Sequence, residues 1–294
     1  MSSKRAVEIE RPAIAISPVT SEDGFKLCQE ILIEVWDLEN GGHRNIIPTR
    51  LFQISHLHGG IVLGAHLPEG QIVGFAWAFP ALDSQRNVFL FSDTLAVLPQ
   101  YRDRGIGARL KFGQREWALQ NDMDVIRWTY DPLEARNSYL NLARLGGLAM
   151  TYKRNAYGVG LTGPNKGIET DRLVVDWFIK SPRAQRRASA RFNPEAPPPL
   201  PSCIQLRDAG GEILPEKVLL DRCESDLLIP IPLDFQRLKE TSFDAAQQWR
   251  LAMREVCETY FSRGYAVVDF HVTILDGKRY GYYRLARDWQ EFLD

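Results

Sequence analysis

The sequence has almost no net charge: 36 lysines and arginines meet 37 aspartates and glutamates, leaving -1. A chain so balanced has no overall field drawing it to nucleic acid or an anionic membrane, so any basic feature is local. Cysteine is scarce, and Cys28, Cys203, Cys223 and Cys257 stand far apart without a C-x-x-C pair. That spacing argues against a zinc cluster or a disulfide framework and for reduced thiols. Long apolar runs are missing too. The longest, Ile72 to Leu82, is too short and interrupted to span a bilayer, and the first twelve residues carry Lys4, Arg5, Glu8, Glu10 and Arg11 in place of a signal peptide's apolar core. These absences predict a cytoplasmic protein.

What is present is an ordinary folded composition, 45% hydrophobic and 25% charged over 294 residues, long enough to favour two domains. The one break in composition lies between Ser181 and Pro201, where Pro182, Pro194, Pro197, Pro198, Pro199 and Pro201 mix with Arg183, Arg186, Arg187 and Arg191. It divides the chain into residues 1–180, a linker at 181–203 and a smaller α/β unit at 204–294.

In the first part helical and extended patterns alternate, as in an α/β or α+β layer architecture. Thr20 is placed to cap a helix with Phe25, Cys28, Ile31, Leu32 and Val35 on its apolar stripe, and Pro48 to open a shorter one through Leu51 and Ile54. Segments 60–67 and 71–79 read as strands joined at Pro68-Glu69-Gly70, and 87–97 as a third. A helix follows from Ile106, with Leu110, Gly113 and Trp117 on one face. Then come a strand at 124–130, a helix from Glu134 to Leu145 stopped by Gly146-Gly147, and a strand at 172–179. In the last part strands are expected at 227–232, 265–274 and 279–285. Between the first two lies a helix at about 244–261, with Ala246, Trp249, Met253, Val256 and Tyr260 inward and Gly264 as its stop.

The stretch with most chemical content runs from Leu95 to Leu110, a strand passing through a short turn into a helix start that carries Gly105 and Gly107. The first N–H groups of a helix have no internal partner and suit an anion, and glycines there let a phosphate reach the backbone. Between residues 102 and 115, Arg102, Arg104, Arg109, Lys111 and Arg115 face a single acid, Asp103, a local basic excess in a neutral chain.

The pattern Arg102-Asp103-Arg104-Gly105-Ile106-Gly107 after an apolar strand resembles the acyl-CoA-binding segment, R/Q-x-x-G-x-G/A, of the GNAT (Gcn5-related N-acetyltransferase) superfamily. The chain is also similar to a narrower GNAT subfamily. It shares Asp131-Pro132-Leu133, Arg136-Asn137, Asn141-Leu142, Leu145-Gly146, Tyr157-Gly158 and Thr170 to Trp177, and Trp249-Arg250 and Gly264-Tyr265 in a C-terminal extension. The resemblance implies a mixed central sheet flanked by helices, and transfer of an acyl group from acetyl-CoA or succinyl-CoA to an amine.

By the same resemblance, coenzyme A would meet Leu95, Ala96, Val97, Arg102, Asp103, Arg104, Gly105, Ile106, Gly107 and Ala108, with Asn137 and Asn141 on the later helix reaching the pantetheine arm. The N–H near Val97 would bind the thioester oxygen, and Asp93 would serve as base. The superfamily's usual acid is a tyrosine where this chain has Leu142, so Tyr139, Tyr130 or Tyr157 is the candidate substitute, Tyr139 first, unless no dedicated acid is needed, since a thiol with a pKa of about 8.5 leaves tolerably well as thiolate. A succinyl carboxylate would call for Arg127, Arg136 or Arg172. Since an α-amine, with a pKa near 8, loses its proton more readily than a lysine side chain, a small amino compound or amino acid is the expected acceptor. A chain that binds acyl-CoA without turnover stays open as the alternative, as does a homodimer, while neither nucleic acid nor membrane is expected as a partner. His56-x-His58 has no third ligand beside it, so no metal is expected. His43 beside Gly41-Gly42 is a candidate for a substrate loop, and the arginines at 183–191 read as a solvated basic linker or, less simply, a contact for RNA.

Overall fold

The computed structural model describes residues 13–39, 45–160, 166–189, 199–275 and 278–294. His43 and residues 190–198 of the expected linker lie outside these. Strand β1 (Ala15–Pro18) leads into helix α1 (Glu22–Trp36), capped not by Thr20 but by Ser21, whose hydroxyl accepts from the Gly24 N–H at 3.1 Å. Phe25, Cys28, Ile31 and Leu32 turn inward as their spacing requires. Helix α2 (Thr49–Leu57) begins after Pro48, but its anchor is Phe52, while Leu51 and Ile54 face out.

Strands β2 (Ile61–His66) and β3 (Ile72–Leu82) form the expected hairpin, with Gly70 at φ +93° in its turn. Strand β4 (Val88–Val97) adds antiparallel to β3. Helix α3 (Ile106–Gln120) crosses back, and strand β5 (Val125–Tyr130) lies parallel to β4. That pairing is brief. Only Leu90 with Ile126 and Phe91 with Arg127 are in register, after which the two strands part.

The continuous helix expected over residues 134–145 is two things. Helix α4 (Ala135–Ser138) is a single α turn, and Tyr139–Arg144 winds on as a π-helix, with the Leu145 N–H reaching the Leu140 carbonyl at 2.9 Å. Gly146 at φ +84° ends it, and Gly147 has no room for a side chain, because a Cβ there would meet Val175 at 2.4 Å. Strand β6 (Leu148–Lys153), which the sequence reading passed over, and strand β7 (Arg172–Phe178) follow, β7 lying between β5 and β6 and antiparallel to both.

The Pro/Arg-rich stretch opens as helix α5 (Pro182–Ala188), capped by Ser181. Two of its three arginines are not solvated: Arg183 and Arg187 are buried, while Arg186 is exposed. Arg187 donates to the carbonyls of Leu142 (2.6 Å) and Ala143 and to Asp269 (2.7 Å), and Arg183 to the carbonyl of Gly146 (3.2 Å). Two guanidinium groups thus satisfy the carbonyls that the end of the π-helix leaves open.

Strands β8 (Ile204–Ala209) and β9 (Glu212–Val218) make a separate hairpin. Strand β10 (Asp226–Ile231), helices α6 (Phe235–Thr241) and α7 (Phe243–Ser262), and strands β11 (Ala266–Leu275) and β12 (Lys278–Ala286) complete the chain. All five apolar positions expected on α7 are buried. Strand β11 pairs with β6 at Val267 and Ala149, so a single mixed sheet runs in the order β1-β2-β3-β4-β5-β7-β6-β11-β12-β10. The main apolar core, from Val19 to Leu285, follows it, and a smaller cluster of Leu148, Ala266, Val268 and Ala286 lies beside it. Among the described residues no helix is long and apolar enough to cross a membrane.

Candidate active site

Where β4 and β5 part, a cavity of about 250 Å³ opens between them. Its walls come from β4 (Ser92, Asp93, Leu95), β5 (Trp128, Thr129, Tyr130), the end of α1 (Trp36), α3 (Lys111), the α4 and π-helix segment (Glu134, Asn137, Leu140, Asn141), Asp131 and Arg172. The sheet supplies the gap because β4 carries one extra residue there. Trp77 faces Thr94 but Ala78 faces Ser92, so Asp93 is the bulged residue, aimed away from the ladder.

Asp93 is open to solvent through the cavity mouth yet flanked by its walls. This loss of water raises its carboxyl pKa, against the hydrogen bond it accepts from the Thr94 hydroxyl at 2.9 Å. Across the cavity, burial and then the neighbouring Asp131 raise the pKa of Glu134, whose carboxylate accepts from Gln236 of α6. Asp131 is clamped by Arg250 of α7 through bonds of 2.9 and 2.6 Å, with Arg172 a further 3.6 Å contact. The last part of the chain therefore holds one wall of the cavity in place.

At the outer end of β4, Leu98 leads through a short 3-10 turn to Arg102, whose Nε donates to the Val97 carbonyl at 3.1 Å. Asp103 (φ +61°) and Gly105 (φ +74°) are both left-handed, and Gly105 starts α3 without any side-chain cap. The first-turn N–H groups of Ile106, Gly107 and Ala108 thus point out of the helix end. Gly107 lies over the cavity rim, since a Cβ there would stand 3.6 Å from both Leu140 and Leu95.

The basic excess around this turn is smaller than the sequence suggests. Arg109 donates to the Ile14 carbonyl, Arg115 to that of Ile179 at 3.0 Å, and Lys111 is buried beneath the sheet. Arg102 and Arg104 remain at the turn, with Arg104 lying over the Tyr101 ring.

The structure brings Asp93, Leu95, Asn137 and Asn141 together around one cavity; the 102–108 turn lines none of it and comes near it at Gly107, beside Leu95 and Leu140. Ala96 is buried and Val97 half-buried on the same strand. Tyr139 does not line the cavity and is 42% exposed. Tyr130 does, but its hydroxyl donates to Tyr283 at 3.3 Å and burial raises its pKa. Tyr157 is exposed and meets the cavity walls at Thr129, its hydroxyl 2.9 Å away, and at Arg172, whose guanidinium lies 5.5 Å over its ring. Leu142 is fully buried. Of the three arginines considered for an acyl carboxylate, Arg127 is paired with Asp176 and Arg136 with Asp103, and Arg172 alone lines the cavity.

Sequence reasoning missed Lys111, Ser92, Trp128 and Glu134. For Lys111 a signal existed, because positions 107, 111, 114 and 118 recur at helical spacing beside the apolar stripe of α3, and Lys111, Gln114 and Ala118 are all buried.

Residues 29–143 match the model of the acetyltransferase (GNAT) family. The chain carries a GNAT acetyltransferase domain. The match takes in the bulge at Asp93, the 102–108 turn, Lys111 and the π-helix as far as Ala143. Among curated proteins none matches. Solved structures similar to this chain include an acetyltransferase of the GNAT family from Streptococcus pneumoniae, with 16% identity over 56% of this chain and 98% of that one, TM-score 0.45. The ribosomal-protein-S18-alanine N-acetyltransferase of Escherichia coli shares 16% identity over 62% of this chain and 99% of its own, TM-score 0.46. Arabidopsis thaliana NAA60 in complex with acetyl-CoA shares 18% over 57% and 100%, TM-score 0.43.

Proposed function

We propose that this GNAT chain transfers an acyl group from acyl-CoA, with acetyl-CoA the default donor, to the amino group of a small molecule such as an amino acid. The observation that carries the reading is the cavity between β4 and β5, which is lined by a bulged carboxylate, Asp93, and by Leu95 and Leu140, the side chains that stand beside Gly107 at the uncapped start of α3. The open first-turn amides of α3, with Arg102 and Arg104 beside them, suit a pyrophosphate. Asn137 and Asn141 stand along the way inward and offer amide partners to a pantetheine arm.

The cavity's size favours a small acceptor. At about 250 Å³ it is below the range of roughly 300–1,000 Å³ usual for drug-sized ligands, so an acyl thioester leaves room for one small amine. Glu134 and Asp93 attract its ammonium group, and Arg172 offers a planar fork to a carboxylate carried by the acceptor or by a succinyl donor. Asp93, raised above the usual carboxylate range, takes the proton that the nitrogen sheds.

Thermal unfolding with CoA, acetyl-CoA and succinyl-CoA tests the donor, since a ligand at 100 times its Kd stabilises the native state by about 2.7 kcal/mol. The acceptor is tested by thiol release from acetyl-CoA with single amino acids, other small amines and peptides. Stabilisation by acetyl-CoA and release with small amines are expected. No shift at millimolar ligand, or release with peptides alone, would overturn the reading.

A further inference from the structure

Lys111 projects from the second turn of α3 into the wedge between β4 and β5, 2% exposed. Its Nζ donates to the Ser92 hydroxyl at 2.8 Å and sits 3.8 Å from the centre of the Trp128 ring. No carboxylate among the described residues pairs with it, yet it lines the same cavity as Asp93. An amine buried without a counter-charge needs a reason.

The hydrogen bonds behind it supply one. Ser92 donates to Gln114 Oε1 at 2.8 Å, so its lone pairs face Lys111, and Gln114 Nε2 is buried without a partner. Turning the Gln114 amide over lets Nε2 donate to Ser92, whose proton then faces the lysine. The same three side chains therefore serve an ammonium in one orientation and a neutral amine in the other. That is a device for a group that gives up its proton and regains it.

We propose that Lys111 is the proton donor to the sulfur of coenzyme A bound in this cavity. The inference rests on the acyl-CoA reading above. It answers the lack of a tyrosine acid, since Leu142 is buried, Tyr139 lies off the cavity and the Tyr130 hydroxyl is engaged. Attack by the neutral amine forms the carbon–nitrogen bond. Collapse of the adduct breaks the carbon–sulfur bond, its electron pair goes to sulfur, and Lys111 supplies the proton that makes the thiol. The surplus proton on nitrogen goes to Asp93, and exchange with solvent restores both groups. Burial lowers the Lys111 pKa to about 7, which makes the ammonium a competent acid toward a thiolate whose own pKa is about 8.5.

The test reads the thiol itself and needs no acceptor. CoA bound to the full chain is titrated by its thiolate ultraviolet absorbance, with desulfo-CoA as the blank, in wild type, Lys111→Met and Ser92→Ala. Asp93, Tyr130, Asp131, Glu134 and Arg172, the other ionisable groups lining the cavity, are the same in all three. In wild type the bound thiol shares its proton with Lys111, so its thiolate absorbance is expected to rise in two steps, part of it near pH 7, where the lysine titrates, and the rest at or above the free value. In Lys111→Met it should rise in one step, at the free value or above, and in Ser92→Ala the early step should shift, since the lysine loses its fixed partner. Equal thiol ionisation in wild type and both variants, all of which bind CoA and desulfo-CoA, would overturn the proposal while leaving the acyl-CoA reading intact. Failure of wild type to bind either ligand would overturn both.

Discussion

Two glycines two residues apart at the start of α3 have different reasons to be glycine. Gly105 is left-handed at φ +74°, with open space around it, so it answers to backbone conformation and to whatever approaches from outside. Gly107 has an ordinary helical setting and ordinary contact distances for an added methyl group. Gly105→Ala should therefore cost about 1 kcal/mol in urea denaturation and Gly107→Ala close to nothing. Gly105→Asp should abolish the thermal shift given by CoA, whereas Gly107→Ala should keep it. At Asp93 the opposite separation is expected: Asp93→Asn leaves CoA binding in place and lowers transfer by roughly 10²–10⁴-fold. Lys111 predicts a signature in stability. Its pKa is near 7 when folded and near 10.5 when unfolded, so between those values the unfolded chain holds the extra proton. Wild-type stability should then rise with pH across that window, by at most about 1.4 kcal/mol per unit, and Lys111→Met should lack the slope. A parallel pH dependence in both proteins would contradict the burial described for this lysine.

Among the elements, α7 does most to join the last part of the chain to the cavity. Arg250 and Asp131 are both buried and doubly bonded, so removing one partner strands the other's charge. Arg250→Met is expected to cost about 3–5 kcal/mol, and pairing it with Asp131→Leu to recover much of that loss; additive losses in a double-mutant cycle would count against a coupled pair. Elements with a period of their own were legible in the sequence: the apolar face of α7, the β2-β3 hairpin with its glycine turn, and the strand-turn-helix around Gly105. The π-helix was not, because Leu140, Leu142 and Leu145 fit an α pattern equally well and nothing local records the extra residue in its turn. The cavity was half legible. The 95–110 run announced an anion site, but a lysine on a helix reads as surface. The pairing of Asp131 with Arg250, 119 residues away, belongs to the tertiary fold and not to any local pattern. Arg183 and Arg187 of α5 misled for the same reason, since their acceptors lie on the π-helix and on β11.

For the whole molecule, the ten-stranded sheet carries residues from both sides of the composition break, and so does the main apolar core that accompanies it. Cutting the chain within residues 190–198 would expose the partners of α7 on one piece and α7 itself on the other. Neither fragment alone is expected to give the sharp thermal transition of the full chain, and mixing the two should restore part of it; a cooperative transition from residues 1–189 alone would refute this. The contacts of α5 carry the point into the life of a chain still being made. The carbonyls of Leu142, Ala143 and Gly146, beside the cavity, wait for Arg183 and Arg187, and the charge of Arg187 waits in turn for Asp269. A ribosome must therefore deliver the chain as far as Asp269 before the wall at the π-helix can set. Nascent chains would carry the turn at Gly105 long before they carry a finished cavity, so the capacity to react comes last in the order of assembly.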